Sequence, residues 1–167
     1  VAGSLQTISF RGEAGHCLPL FNVLPLPAST SGKSHSMSTA DLSTDRLTLR
    51  PVKPSDATRI TDLVNDERIY RMLARVPAHQ NVAQTLAWIS SHDTGRQDDT
   101  RHVFAIESDG LLVGMVSGER KSTFVPFNLG YWLAPDVWDR GLMTEAADAL
   151  LTWLRQRGER AFVSGYI

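Results

Sequence analysis

From Thr44 onward, apolar and polar positions fall into short regular runs. Arg46-Leu47-Thr48-Leu49-Arg50 alternates, the period of a half-buried strand. Pro51 and Pro54 bracket its end, and Ser55 and Asp56 suit a helix N-terminus. Ile60, Leu63 and Val64 form an i, i+3, i+4 stripe, predicting a helix to about Asp66. Asn81 with Gln84 resembles a capping box, and Val82, Leu86 and Ile89 give a second amphipathic helix behind it. A polar loop with Gly95, Asp98 and Asp99 follows. His102–Ile106 and Leu111–Val116 are apolar-rich strands on either side of Asp109-Gly110, a strong hairpin signal. Phe127–Leu133 is another strand. Met143, Ala146, Ala147, Leu150, Trp153 and Leu154 make a 3.6-residue stripe, predicting a helix from about Leu142 to Arg157. Glu145 in its first turn and Arg155 and Arg157 in its last agree with the helix dipole, and Gly158 supplies a stop. Ala161–Ile167 reads as a final strand.

The order is strand, two helices, three antiparallel strands, helix, strand, with no internal repeat. Its closing strand–helix–strand unit favours a parallel pair, so the sheet is expected to be mixed. Residues 1–40 carry Ser, Gly, Pro and Leu without a sustained period. Within them Cys17–Leu26 is apolar but broken by Pro19 and Pro25, and Arg11 and Glu13 make a weak charged flank, a poor signal-peptide core. Residues 1–40 are expected to be a disordered leader or a non-native upstream extension, with Met37 the true start and residues 1–36 dispensable. Residues 41–167 form the domain.

Length and composition exclude several classes. The 167 residues suffice for one domain with a real core. A net charge of -1 gives no global reason to expect nucleic acid or an anionic membrane as partner. No apolar run reaches about 18 residues, so no membrane span is expected. The single cysteine, Cys17, cannot form an internal disulfide. His16, His35, His79, His92 and His102 are scattered without metal-ligand spacing, so no metal is expected.

The segment around Gly141 has the clearest chemical logic. A strand ends at Leu133-Ala134-Pro135, a short loop reaches Arg140-Gly141, and a helix opens at once. A helix N-terminus presents unpaired N–H groups and partial positive charge, which suit a phosphate. Glycine permits close backbone approach, and Arg140 adds a formal charge. On spacing alone, a plain strand-to-helix turn with a packing glycine remains an equal alternative.

The motifs point further. Asn128-Leu129-Gly130-Tyr131-Trp132-Leu133-Ala134-Pro135, followed by Trp138-Asp139-Arg140-Gly141-Leu142-Met143-Thr144-Glu145-Ala146, resembles the central motif of the GNAT superfamily of N-acetyltransferases, in the branch that acetylates ribosomal-protein N-termini. Thr44-Asp45-Arg46-Leu47-Thr48-Leu49-Arg50-Pro51 resembles that branch's opening strand. The resemblance covers about residues 44–167. It implies an α/β (α+β) fold with a mixed, mostly antiparallel twisted sheet flanked by helices, here lacking the last helix and strands. It implies acetyl-CoA as cosubstrate. The pantetheine arm would pair with the backbone of Trp132, Leu133 and Ala134. The pyrophosphate would meet backbone amides of Trp138, Asp139, Arg140, Gly141, Leu142, Met143 and Thr144. The pattern starts with Gln or Arg, where Trp138 stands, and ends on Gly or Ala, where Met143 stands. A methionine there must point away from the phosphate or crowd it.

An amine attacking a thioester must lose a proton, and the leaving thiolate must be stabilised. Glu119, at the end of the third strand, is the candidate base; the alternative is a solvated loop charge beside Arg120 and Lys121. Asn128 stands where some relatives carry an acid. An α-amino group has a reference pKa of about 7.7–8.0 against about 10.4 for lysine. An α-amine therefore needs less help, and the acceptor leans to a protein or peptide N-terminus over a lysine or small-molecule amine. Trp88 and Trp153 are expected in or near the core, and Tyr131 and Trp132 on opposite faces of the sheet. The chain is expected to be a fragment of a longer cytoplasmic enzyme and to self-associate through an uncovered sheet edge. A non-catalytic acetyl-CoA-binding domain is the alternative function.

Overall fold

The computed structural model describes residues 41–163, apart from 74, 75, 77 and 78. The expectations for residues 1–40, and for a strand continuing through 164–167, lie outside the described residues. Six strands form one sheet in chain order: β1 (Leu42–Ser43), β2 (Thr48–Pro51), β3 (Arg101–Ser108), β4 (Leu111–Glu119), β5 (Phe127–Leu133) and β6 (Phe162–Val163). Neighbours from β1 to β5 are antiparallel, and β6 runs parallel to β5. The helices are α1 (Ala57–Val64), α2 (Glu67–Tyr70), α3 (Val82–Ser90), α4 (His92–Gln97) and α5 (Leu142–Gln156). The mixed, mostly antiparallel α/β architecture expected from the sequence is thus the architecture observed.

Both faces of the sheet are covered, so β3 and β4 read as nearly continuous apolar runs rather than alternating ones. On one face Leu142, Ala146, Leu150 and Leu154 of α5 pack against Leu49, Phe104, Ile106, Val116 and Phe127. On the other, Ala57, Ile60 and Val64 of α1, with Ile69 and Ile89, pack against Val103, Ala105, Met115 and Trp132. Tyr131 belongs to the first face and Trp132 to the second, as strand alternation requires. Trp88 and Trp153 are half-buried against these cores.

Three local expectations are corrected. The helix expected from Ser55 to about Asp66 opens as a 3-10 turn at Pro54–Asp56 and continues as α1 to Val64; the single-turn α2 follows it, with Asp66 as cap accepting from the Arg68 amide. Asp56 is no solvent-facing cap: its carboxylate is buried and bidentate to Arg50 at 2.8 Å on each arm, and accepts the Lys53 amide at 2.7 Å. Burial would raise this carboxyl, but Arg50 and the Lys53 amide outweigh it and hold it below its ordinary value of 3.8. Second, the Asn81/Gln84 capping box is present, but Val82 and Leu86 face solvent. The buried side of α3 is Thr85 and Ile89, because the Thr85 hydroxyl bonds to that of Thr61 on α1 at 2.7 Å. Third, part of the polar segment at Gly95 is helical. α4 shows no apolar period, but its first residue, His92, is buried edge-on against Trp88 at 4.3 Å.

The Asp109-Gly110 turn has positive φ at both positions, 52° and 76°, the form that follows the twist of a two-residue hairpin. Its arms are not in simple register. Ile106 faces Gly114 but Glu107 faces Leu112, leaving Val113 as an extra residue on β4. The bulge brings β4 against β5 so closely at Gly114 that a β-carbon there would stand 2.3 Å from the Trp132 carbonyl oxygen and 3.0 Å from Leu133 Cα. Only glycine fits. Gly114→Ala is expected to destabilise the chain by about 1–3 kcal/mol, the cost of overpacking against backbone, seen as a lower urea midpoint at unchanged slope.

Candidate functional site

The strand-to-helix connection after β5 is built to expose backbone. Ala134 opens a 3-10 turn at Pro135–Val137, and the Trp138 indole N–H turns back to donate to the Leu133 carbonyl at 2.8 Å. Trp138 therefore anchors the loop to the strand it leaves. Asp139 and Gly141 both take left-handed conformations, φ 59° and 71°, which swing the chain sharply into α5. The Glu145 N–H makes the first helical bond, to the Gly141 carbonyl at 3.2 Å. The amides of Leu142, Met143 and Thr144 come before it and have no acceptor within the helix. They face outward at its positive end.

Met143 does not obstruct this end. It is half-buried and packs against the α5-face core, and Leu142 is buried in it. Thr144 is exposed. Arg140 is less free than its position suggests: one guanidinium nitrogen donates to the Asp136 carbonyl at 2.9 Å, within its own loop.

The open edge of β5 is narrower than the sequence implied. The Ala134 amide donates to the Val113 carbonyl at 2.7 Å, so it faces β4. In an antiparallel ladder the direction alternates, so Trp132 also turns its backbone to β4, while Leu133 and Tyr131 turn theirs to the other edge. On that edge the described part of β6 pairs only with Phe127 and Asn128. Of Trp132, Leu133 and Ala134, only Leu133 thus turns its amide toward that edge. The Trp132 side chain is buried in the opposite-face core.

Two residues the sequence did not mark complete the helix end. Glu145, in the first turn of α5, accepts the Thr44 hydroxyl at 2.5 Å, the Arg46 amide at 3.0 Å and Arg46 Nε at 2.7 Å. Arg46 Nη1 then donates to the Arg140 carbonyl at 2.9 Å. The turn between β1 and β2 is clasped in this way over the start of α5. The hydrogen bond from Thr44 leads the interactions that hold the Glu145 carboxyl below its ordinary value of 4.5, with the Arg46 amide and guanidinium adding to it. An open groove of about 770 Å³ starts at Arg46 and Gly141 and follows α5 past Asp148 and Thr152 to Gln156. The available signal in the sequence was Glu145 itself: an acid beside a phosphate-suited helix start needs a cation.

Glu119 ends β4, opposite Asn128 on β5 and Arg101 on β3. Its carboxylate lies 3.6 Å from Arg101 Nε, and both side chains are largely shielded. Its neighbour Arg120 is buried, reaches Glu159 at 2.9 Å, also bonds to Asp99, and lies over the Phe127 ring at 4.2 Å. Glu119 and Asn128 share one register position, three steps from the Val116–Tyr131 pair, or about 10 Å along the strands. Among the described residues no His, Cys, Asp and Glu group is arranged to hold a metal ion, and no helix is long and apolar enough to cross a membrane.

Comparison with known proteins decides the family. The acetyltransferase (GNAT) domain model matches residues 46–166. The chain belongs to the GNAT acetyltransferase family. Solved structures share its fold at low identity. The apo RimL ribosomal L7/L12 α-N-protein acetyltransferase superposes with a TM-score of 0.66 at 18% identity, covering 78% of this chain and 74% of that one. The microcin C7 self-immunity acetyltransferase MccE, solved with acetyl-CoA and AMP, gives 0.64 at 20% identity, covering 71% and 68%. The ribosomal-protein-S5-alanine acetyltransferase from Vibrio fischeri gives 0.62 at 17% identity, covering 71% and 69%. No curated protein sequence matches the chain.

The clasp sets a pH dependence. A carboxyl whose folded pKa lies below 4.5 contributes stability that is full above that value and is lost as pH falls through the depressed pKa. Wild type is therefore expected to lose more melting temperature than Glu145→Gln when pH is lowered from about 6 to about 3. Parallel melting curves of the two proteins check this.

Proposed function

We propose that the chain is an acetyl-CoA-dependent N-acetyltransferase whose acceptor is the α-amino group of a protein or peptide. The observation that carries this reading is the paired geometry at the end of β5: a Leu133 amide turned away from β4, followed by a helix start with three outward amides at Leu142, Met143 and Thr144. A pantetheine arm carries amides that can pair with such an edge, and a pyrophosphate suits such a helix end. Trp138, Asp139, Arg140 and Gly141 shape the turn between them. Acetyl-CoA supplies the thioester. The acceptor nitrogen attacks its carbonyl carbon, the C–S bond breaks, the thiolate leaves, and the amine proton must pass to a base.

Glu119 is the base this reading favours. It lies 3.6 Å from Arg101 Nε, and it stands one strand away from Asn128, on the sheet face that carries Trp132. At about 10 Å from the Tyr131 level it works through water rather than by direct contact. An α-amine, with its reference pKa of about 7.7–8.0, tolerates such indirect help better than a lysine does. The names of two structural neighbours, which act on ribosomal-protein N-termini, support the same acceptor class.

Titration calorimetry with acetyl-CoA and a thiol-release assay test the reading together. Binding, with release stimulated by a peptide bearing a free N-terminus over one offering only lysine, is the expected result. Binding without release above hydrolysis would instead favour a non-catalytic acetyl-CoA-binding domain. Glu119→Gln is expected to lower kcat about 10²-fold and to remove the acidic limb of its pH profile, leaving acetyl-CoA affinity unchanged.

A further inference from the structure

The cation beside the first turn of α5 comes from the other end of the domain. Arg140, the motif's own arginine, directs its fork to the Asp136 carbonyl. Arg46, from the turn between β1 and β2, lies instead against the helix start: Nη1 donates to the Arg140 carbonyl at 2.9 Å, and a β-carbon at Gly141 would stand 3.8 Å from Nη2. Its orientation is fixed from behind by Glu145, which takes Nε at 2.7 Å, Nη2 at 2.6 Å and the Arg46 amide at 3.0 Å. Glu145 is fixed in turn by the Thr44 hydroxyl at 2.5 Å. About half of the Arg46 side chain remains exposed, at 51%, so the guanidinium keeps a face toward solvent beside Gly141.

The geometry points to Arg46 as a phosphate-binding residue for acetyl-CoA, supplied by the opening strand rather than by the loop motif. Building on the acetyltransferase reading, Arg46 has two parts in it. It cancels the Glu145 carboxylate, which alone would oppose an anion at the helix N-terminus. It also adds a rigidly held positive charge to the backbone amides of Leu142, Met143 and Thr144, with one N–H on each of Nη1 and Nη2 left over for a phosphate oxygen. The other charges are Asp41, Asp45 and Asp148 on the groove and Asp139 and Arg140 in the adjoining loop. Four of these five are acids, so without Arg46 the approach to the site is acidic on balance.

The test is titration calorimetry with acetyl-CoA at two salt concentrations, with thiol release from the phosphate-free analogue S-acetylpantetheine as comparison. Arg46→Gln keeps donors for Glu145 and the Arg140 carbonyl but removes the charge. It is expected to weaken acetyl-CoA binding about tenfold or more and to flatten its salt dependence. It should leave kcat/KM for S-acetylpantetheine within about twofold, and Arg46→Lys should recover most of the affinity. Unchanged acetyl-CoA affinity in Arg46→Gln, or equal losses for the two substrates, overturns the assignment. If Arg46→Gln does not fold, Arg46→Lys decides: a wild-type salt slope supports the assignment, and a flat slope with weakened binding overturns it. No acetyl-CoA binding by the wild type overturns the acetyltransferase reading, and this assignment with it.

Discussion

The carboxylate of Glu145 is the point through which the two ends of the domain meet. It sits in the first turn of α5, about a hundred residues from the β1–β2 turn in sequence, and accepts three donors from that turn. An acid at a helix start is favourable by dipole alone, but that accounts for no long-range contact. Thr44 and Arg46 make it a clasp. Without them β1 would be held by its two-residue ladder to β2 and by Leu42 against the α5-face core, with no polar tie from the turn to α5. With them, the helix end that suits an anion gains a wall and a cation.

The opposite end of α5 is held by a second charged cluster. Asp99, in a left-handed conformation at φ 54°, receives His102 Nε2 and Arg157 at 2.8 Å each, and Arg120 as well. Arg157 also lies over the Trp153 ring at 4.5 Å, and Arg120 over Phe127. Burial lowers the pKa of His102 and outweighs Asp99, so the ring stays neutral, edge-on to Trp153. Asp99 can therefore serve two arginines without a third full charge beside it. A 15-residue helix about 22 Å long is thus pinned at both ends and along its apolar face. Its N-terminal amides are consequently presented by a rigid element rather than by a loop, which binding geometry requires.

What was legible in the sequence follows from range. Hairpin, capping box, the four longer strands and α5 were readable because each is written in neighbouring residues: Asp109-Gly110 dictates its turn, Asn81 and Gln84 bond to each other, and the α5 stripe has a clean period. The resemblance motifs located the turn after β5 for the same reason. Contacts made across the sheet were not readable. Asp56 looks like a local cap, yet Arg50 draws it inward. Val82 and Leu86 look like a core stripe, yet the Thr61–Thr85 hydroxyl pair rotates α3 so that they face solvent. α4 has no apolar period at all and owes its place to His92. Arg46 looks like a polar strand position and Arg140 like the phosphate cation, and only the fold shows which guanidinium lies over Gly141.

The departures from the family pattern at the turn also resolve in physical terms. Trp138, in place of Gln or Arg, contributes no charge, but its indole closes the loop onto the Leu133 carbonyl. That bond holds the strand edge and the helix start in one rigid frame, so Trp138 contributes geometry where the pattern has a polar side chain. Met143, in place of a small residue, enters the α5-face core. A loop whose one arginine, Arg140, is turned toward Asp136 has to obtain positive charge elsewhere if it is to hold a pyrophosphate. The opening strand is the element that reaches it, and the clasp on Glu145 is what keeps that strand's arginine in place.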